Sequence, residues 1–281
     1  MKYKYPNLLS GNKQELIISY LNDVSKLKTK IEKDNKVTRI GFYNVNMMHF
    51  LIENEKNIFK LCNDNKIDII NLIEYPFLKE FDDLFTNKYE FNAQYSQYFN
   101  RFGLKCFSKD KIDETNSKNL DAPNSKEKRG LLHTKIGKYN IITTHLDVWD
   151  NTGNKRINEI EKLIRYIKKN DLENVILGGD FNEVDTSLFC KEHNQKLNDD
   201  FKKRLKVDYD MPSNIFTILK NNNFVNLFDC LDYEHPKFSC WTGKLVDYCF
   251  LYKPTWKGSL IDINLINCPY SDHGILLIDV M

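Results

Sequence analysis

Apolar residues recur along the chain at two spacings, and each spacing predicts a different secondary structure. Steps of three and four residues predict amphipathic helices, whereas short β-branched and aromatic runs predict strands. Because helical and strand-like segments alternate, the sequence indicates an α/β fold. The predicted helices cover residues 53 to 65 and 154 to 170, and a third begins at a candidate N-cap, Ser213, and ends at Asn221-Asn222-Asn223.

A further helix is predicted near the N-terminus. Its apolar stripe runs from Ile17 to Ile31 in steps of three or four residues, and the helix ends near Lys33. No linker rich in Pro, Gly or Ser divides the 281 residues, so we expect one large domain. Residues 1–36 are predicted to form a helical extension packed on a domain that spans residues 37–281.

The predicted strands share one feature, since each begins or ends at polar residues. The runs are TRIGFYNVN, IDIINLIEYP, YNIITTHLDV, VILGGDFN, LVDYCFL and YSDHGILLIDV. Side chains two residues apart on a strand point to the same face, and the strand ends of a sheet gather at one rim. We therefore expect these polar side chains to form one site. They are Asn44, Asn46, Glu74, His145, Asp147, Asp180, Asn182, Asp247, Asp272 and His273.

Other segments add detail to this picture. GLKCFSK and RGLLHTKIGKYNIITTHL are typical of adjacent strands joined by turns, which predicts mixed or antiparallel pairing. Residues 108–130 and 191–210 are highly polar and are predicted to be surface loops. The first of these is rich in Lys, so it can hold phosphates if it lies beside a site, although a solvated face is the better interpretation.

Acidic groups gathered at one rim repel each other unless a cation lies between them. The candidate ligands are carboxylate and amide oxygens, and no Cys/His pair has zinc spacing. Such a ligand set suits Mg²⁺, or Mn²⁺, better than Zn²⁺. Because Mg²⁺ commonly shares phosphate oxygens with a substrate, phosphoryl chemistry is the reaction class that the pattern favours.

Charge and cysteine content exclude little. The chain has 41 Lys and Arg residues against 39 Asp and Glu residues, so its net charge does not by itself indicate a nucleic-acid-binding protein. The seven cysteines include no C-x-x-C pair, which fits buried free thiols in a reducing compartment. No signal peptide and no run of ~18 apolar residues occurs. We expect a soluble intracellular monomer, cytoplasmic or nuclear, without stable membrane insertion.

The order and wording of the motifs resemble the endonuclease/exonuclease/phosphatase superfamily, whose fold is DNase I-like. The motifs are YNVN, LIEY, TTHLD, GGDFN, LVDYCF and SDH, and the resemblance covers roughly residues 37 to 281. It implies a four-layer α/β/β/α sandwich with two central mixed, largely antiparallel sheets and a site at one end. It also implies hydrolysis of a phosphoester by in-line attack of water.

The resemblance implies a role for each motif residue. Glu74, Asn44 and Asp272 are the expected Mg²⁺ ligands. Asp180 is expected to orient or deprotonate the attacking water, and Asn182 to donate to a phosphate oxygen, with the two glycines before them letting the strand turn sharply. His273 is expected to contact the phosphate or exchange a proton, with Asp247 as its carboxylate partner.

His145 resembles the second imidazole of such sites, a phosphate donor or general acid. Its supporting carboxylate is left open among Glu80, Glu90 and Glu114, with Asp147 as an alternative neighbour. The expected substrate-binding residues are Arg129, Arg156, Asn46 and Trp149, although ion pairs are equally compatible with the two arginines and core packing with Trp149.

Three functions remain open at this point. The motif wording favours a nuclease acting on DNA or RNA. The alternatives are a phosphatase of inositol phosphates or phosphoinositides, or a sphingomyelinase-like lipid phosphodiesterase, although the WCDR-type signature of the 5-phosphatases is absent. A non-catalytic binding module with the same fold is the third, and it would require a damaged site, yet every principal motif position is filled.

Overall fold

A computed structural model describes most of the chain from residue 32 onward. The predicted N-terminal helix and Asn46 lie outside the described residues, as does Ser213. Residues 32–36 form a non-helical approach to the first strand. The described ranges are 32–45, 52–97, 102–121, 128–150, 152–189, 191–192, 194–196, 198–199, 214–240, 244–266 and 271–281.

The described residues form twelve strands, five α-helices and a further helical segment that is only partly described, within residues 191–199. The helices are α1 (Ile52–Asp64), α2 (Lys79–Thr86), α3 (Asn154–Lys169), α4 (Asn214–Asn221) and α5 (Leu227–Cys230). The strands are β1 (Thr38–Asn44), β2 (Ile69–Pro76), β3 (Phe91–Ser96), β4 (Phe102–Ser108), β5 (Glu114–Asn119), β6 (Gly130–Ile136), β7 (Tyr139–His145), β8 (Val175–Asp180), β9 (Phe224–Asn226), β10 (Asp247–Tyr252), β11 (Leu260–Ile266) and β12 (Ile275–Val280). Helices α1, α3 and α4 confirm the three helices predicted from the apolar spacing.

The strands form two six-stranded sheets, which we call the first and second sheets. Their strand orders are β11-β12-β1-β2-β4-β3 and β5-β6-β7-β8-β10-β9. The pairs β1–β2 and β7–β8 are parallel, and the other pairs within the described strands are antiparallel. The sheets are therefore mixed and largely antiparallel, as predicted.

Three apolar clusters define the layers. The first lies between the sheets and includes Phe42 and Ile73 of the first sheet and Ile141 and Ile176 of the second. A second cluster packs α3 and α4 on the outer face of the second sheet, and a third packs α1 and α2 on the outer face of the first. Both faces of the central strands of each sheet are thereby removed from water, which explains why those strands are nearly continuous apolar runs. This arrangement is the predicted α/β/β/α sandwich.

The expectation of a loop over residues 108–130 was wrong in part, because β5 lies within it. All six residues of β5 are exposed, and the strand pairs antiparallel with β6 along the edge of the second sheet. Backbone pairing with β6 holds β5 in place, and this pairing does not require apolar side chains. The sequence of β5 therefore lacks the apolar pattern that normally indicates a strand. The described residues among 191–199 are helical rather than loop, and most of them lie on the surface. No helix of the described chain is long and apolar enough to cross a membrane.

Candidate active site

The polar strand ends meet at one rim of the sandwich. In the second sheet, His145 is the register partner of Asp180, and Asp180 is the register partner of Asp247. Strand β10 runs opposite to β8, so the start of β10 lies beside the end of β8. In the first sheet, Asn44 ends β1 at the same rim, where its Nδ2 donates to Asp180 Oδ2 across the two sheets at 3.0 Å.

Glu74 is aimed into this rim by an irregularity in its strand. The register of β2 against β4 shifts between Leu72 and Tyr75, and Glu74 within this bulge has a φ of 56°. Such a conformation is uncommon for a residue with a side chain, and bulges frequently re-aim side chains beside functional sites. Glu74 Oε1 lies 3.5 Å from Asn44 Nδ2 and 3.6 Å from His145 Nε2.

His273 and Asp247 form a buried pair supported by a serine. His273 Nδ1 lies 2.8 Å from Asp247 Oδ2, and Ser239 Oγ donates to the same carboxylate oxygen at 2.6 Å. Ser239 Oγ also accepts from the backbone N–H groups of Val246 and Asp247, each at 3.0 Å. The imidazole is therefore held with Nε2 toward the site, 3.9 Å from Asp180 Oδ2.

Sequence reasoning missed two serines at this rim. Ser239 supports Asp247, and Ser271 Oγ donates to the backbone oxygen of Asn44 at 2.7 Å, which ties the Asp272-His273 segment to the end of β1. Ser271 does stand directly before Asp272-His273, but a lone serine beside a motif carries no signal of its own. Ser239 lies eight residues before Asp247, and no spacing connects them.

The partner of His145 is an arginine rather than any of the expected glutamates. Arg129 Nη1 lies 3.0 Å from His145 Nδ1 and 3.2 Å from Nε2. A guanidinium group only donates, so it favours the neutral imidazole that can accept. Glu80, Glu90 and Glu114 are exposed on the surface, and the carboxylate nearest to His145 is that of Glu74.

The two glycines before Asp180 do not form a sharp turn, because both lie within β8. A Cβ at Gly178 would meet the Phe42 ring of the first sheet at 2.7 Å. Gly179 has a φ of 148°, and a Cβ there would meet Thr144 O at 2.0 Å. The glycines permit close approach, and the chain turns instead at Asn182, whose φ is 49°.

Asn182 and Asp147 use their side chains locally. Asn182 Nδ2 donates to Leu146 O at 3.0 Å, so one of its two amide protons already has an acceptor. Asp147 Oδ1 accepts from the backbone N–H groups of Trp149 and Asp150 at 2.8 and 2.7 Å, which shapes the loop after β7.

Arg156, expected to bind substrate or to form a surface ion pair, has a buried side chain. Its side chain is 1% exposed, and its Nε donates to Glu183 Oε2 at 2.7 Å. Its Nη1 donates to the backbone oxygens of Asp147 and Asp150. The guanidinium is thus committed inside the protein. Trp149, in contrast, is 73% exposed, so core packing does not explain it.

Burial sets the electrostatics of the rim. It raises the pKa of Asp180 to about 7 and raises the pKa of Glu74, with nearby carboxylates adding to both effects. Burial, together with the charges of Arg129 and His273, holds the pKa of His145 well below its usual value. For His273 burial acts in the same direction, but the carboxylates of Asp247, Asp272 and Asp180 outweigh it and raise the pKa well above that of a free imidazole.

The ligand set at the rim fits a hard divalent cation. Glu74 and Asp272 keep about a quarter of their side-chain surface exposed, and the charge of Asp272 adds to the rise in the pKa of Glu74. Asn44 turns Nδ2 toward the carboxylates, so it would need a half-turn of its amide to present Oδ1 to a cation. One ligand atom each of Asp180, Asp247 and His273 also lie within 4.8 Å of one another, but His273 already bonds Asp247. We therefore favour the Glu74 and Asp272 side for a metal.

Comparison with solved structures identifies the fold. Over 89% of this chain and 95% of the other, the catalytic domain of human Nocturnin with bound sulfate superimposes with a TM-score of 0.67 at 15% identity. An AP endonuclease from Archaeoglobus fulgidus superimposes with a TM-score of 0.65 at 17% identity, over 86% of this chain and 98% of the other. An endonuclease/exonuclease/phosphatase from Bacteroides vulgatus superimposes with a TM-score of 0.60 at 14% identity, over 88% of this chain and 99% of the other. No family model and no curated protein matches the chain in sequence.

The paired sheets and the rim between them define a DNase I-like sandwich. The chain therefore has the fold of the endonuclease/exonuclease/phosphatase superfamily, as its motifs indicated. At identities of 14–17% the likeness establishes the fold, and the activity must be argued from the site.

Proposed function

We propose that the chain is a divalent-metal-dependent phosphoesterase that hydrolyses phosphodiester bonds of nucleic acid by in-line attack of water. The observation that carries the proposal is the meeting of two imidazoles at one carboxylate. His145 Nε2 and His273 Nε2 lie 3.8 and 3.9 Å from Asp180 Oδ2. These groups come from three separate segments of the chain, and together they can surround one phosphate.

Each side chain has a role in this proposal. Asp180 orients or deprotonates the attacking water, because it lies between the two imidazoles. His273, fixed by Asp247, directs Nε2 to a phosphate oxygen. His145 and Arg129 donate to the phosphate from the other side. Glu74, Asn44 and Asp272 would hold Mg²⁺ or Mn²⁺, which supplies charge neutralisation for the developing phosphorane when it is bound.

Nucleic acid is the substrate class we favour over inositol phosphates and lipids. The motif wording of the chain supports it, and so does structural likeness to a protein named as an endonuclease. A substrate can reach the rim from solvent, because the side chains of Glu74 and Asp272 remain partly exposed. Whether strands are cut internally or from an end is a question for the assay.

The test is a panel of substrates with and without metal. Plasmid DNA, single-stranded DNA, RNA, inositol phosphates and sphingomyelin are incubated with Mg²⁺, with Mn²⁺ and with EDTA. We expect metal-dependent cleavage of at least one nucleic acid, and its loss in Asp180→Asn. Cleavage that survives in Asp180→Asn comes from a contaminant, and cleavage only of sphingomyelin or inositol phosphates would overturn the substrate assignment.

The chain offers a matched control for the acid–imidazole pair. Asp229 Oδ1 lies 2.7 Å from His235 Nε2, but the Asp229 side chain is 56% exposed. Asp247→Asn should lower kcat by at least about 100-fold, since it removes the group that holds the His273 tautomer. Asp229→Asn should leave kcat unchanged.

A further inference from the structure

The loop between β7 and α3 exposes two apolar side chains beside the rim. Val148 is 45% exposed and Trp149 is 73% exposed. Both follow His145 closely, at the end of β7. A tryptophan ordinarily buries most of its large apolar surface, so its exposure next to a candidate site suggests a ligand.

Buried charged side chains fix the shape of this loop. Asp147 is 2% exposed, and its Oδ1 accepts from the backbone N–H groups of Trp149 and Asp150. Glu159 Oε2 accepts from the backbone N–H of Asp147 at 3.0 Å, and Arg156 Nη1 donates to the Asp147 and Asp150 carbonyls at 2.9 and 2.8 Å. Burying such groups is costly unless they are paired. The backbone of Trp149 is therefore held in place, and its exposure does not result from a loose loop.

The same loop is joined to the site. Asn182 Nδ2 donates to Leu146 O at 3.0 Å, and Arg156 bonds Glu183, the residue after Asn182. Trp149 is four positions after His145, so their Cα atoms are at most about 14 Å apart. The backbone of Trp149 is thus held within about 14 Å of His145, close enough for its side chain to meet a nucleotide that flanks the site.

We propose that Trp149 is a stacking platform for an unpaired base of the substrate, on a nucleotide flanking the scissile phosphate. This inference rests on the proposed function, and it names single-stranded or locally unpaired nucleic acid as the substrate. Aromatic faces stack on any base, so the platform confers affinity without strong sequence preference. Lys155 lies in the first turn of α3, where its Nζ is 3.4 Å from Asp147 Oδ2, and its side chain is still 60% exposed, so a neighbouring phosphate can reach it.

The chemistry of the loop favours a base over a lipid surface. Among the described residues between β7 and α3, 146–150 and 152–153, the large apolar side chains that are exposed are Val148 and Trp149. A membrane-surface contact needs a broader apolar face. A single exposed indole instead provides a stacking surface for one base.

The experiment measures binding separately from cleavage. Anisotropy of a labelled single-stranded oligonucleotide is followed in EDTA with wild type, Trp149→Ala and Trp149→Phe. Ile261→Ala is the matched control, because Ile261 is 39% exposed near the Leu260–Val280 pairing, at the end of β11 away from the rim. We expect Trp149→Ala to weaken binding about ten-fold or more, Trp149→Phe to restore most of it, and Ile261→Ala to change nothing.

A second arm locates the stacked base. A single abasic site is moved along the oligonucleotide. At one position it should weaken binding by the wild-type protein as much as the Trp149→Ala substitution does. At that position it should not change binding by the Trp149→Ala variant. A third arm measures sedimentation with sphingomyelin vesicles. Urea unfolding of each variant confirms that the fold is retained.

The outcomes separate this inference from the proposed function. Equal affinity of the wild-type protein and Trp149→Ala for the oligonucleotide would overturn the stacking proposal. So would an abasic site that, at every position, weakens binding by Trp149→Ala as much as it weakens binding by the wild type. Vesicle binding that falls in Trp149→Ala while oligonucleotide binding does not would assign the loop to lipid. Trp149-dependent oligonucleotide binding without metal-dependent cleavage leaves the platform standing and refutes the nuclease.

Discussion

Replacing Arg156 by Met tests whether a buried ion pair holds the loop after β7. The change removes the bond to Glu183 Oε2 and leaves that carboxylate, whose side chain is 1% exposed, without its cation. It also removes the donor to the carbonyls of Asp147 and Asp150. Breaking a buried pair by removing one partner typically costs about 3–5 kcal/mol.

The structure allows a closer estimate for Arg156→Met. The stranded Glu183 can take up a proton instead of staying charged. At about 1.36 kcal/mol per pH unit above its ordinary pKa of 4.5, the charge penalty at pH 7 cannot exceed about 3.4 kcal/mol. Each abandoned carbonyl adds about 1 kcal/mol. We therefore expect a loss of about 5 kcal/mol at pH 7 and of only about 3 kcal/mol at pH 5, where protonation of Glu183 is nearly free.

The assay is urea unfolding followed by circular dichroism at both pH values. Arg156→Met/Glu183→Gln should recover part of the loss at pH 7, because it leaves no stranded charge. Arg165→Met is the control on the same helix, since Arg165 is 62% exposed in its pair with Glu161, and it should cost less than about 0.5 kcal/mol. A loss below about 1 kcal/mol, or an equal loss at pH 5 and pH 7, would refute the reasoning.

Three further predictions follow from the structure. Burial raises the pKa of Glu159 to about 8, so the protonated side chain contributes its full stabilisation below pH 4.5, and this contribution is lost as the pH rises toward 8. In urea unfolding, Glu159→Gln should therefore reduce the dependence of the free energy of unfolding on pH between 4.5 and 8. Gly179→Ala should destabilise by several kcal/mol in the same assay, because the new Cβ meets a backbone oxygen at 2.0 Å, whereas Gly137→Ala meets no atom within 4 Å and should cost less. Ser239→Ala should lower kcat about ten-fold by releasing Asp247, with activity restored in Ser239→Thr, and an unchanged kcat in Ser239→Ala would contradict this role.

Patterns local in sequence predicted the α/β class and the location of the candidate site, whereas the four layers were implied by the resemblance to the superfamily. The three-and-four spacing located α1, α3 and α4, and apolar runs that stop at polar residues located most of the strands. Because strand ends of a sheet share a rim, the meeting of Asn44, Glu74 and Asp180 could be inferred before any coordinates.

Features that depend on distant partners could not be predicted. The sequence around Arg156 is typical of a surface cation, because its buried partner Glu183 is 27 residues away along the chain. The glycines of β8 are explained by Phe42 in the opposite sheet and by Thr144 O. Strand β5 has no apolar pattern, because its place is determined by backbone pairing at an edge.

The strand order also bears on how the protein is made. The second sheet is built from one continuous stretch, β5 to β10, whereas the first joins β1–β4 to β11 and β12 from the other side of that stretch. A growing polypeptide can therefore assemble the second sheet on the ribosome while the first still lacks its closing strands. Since Asp272 and His273 lie just before β12, the candidate site is completed only after synthesis has reached that strand, and a nascent chain that ends before it lacks both side chains.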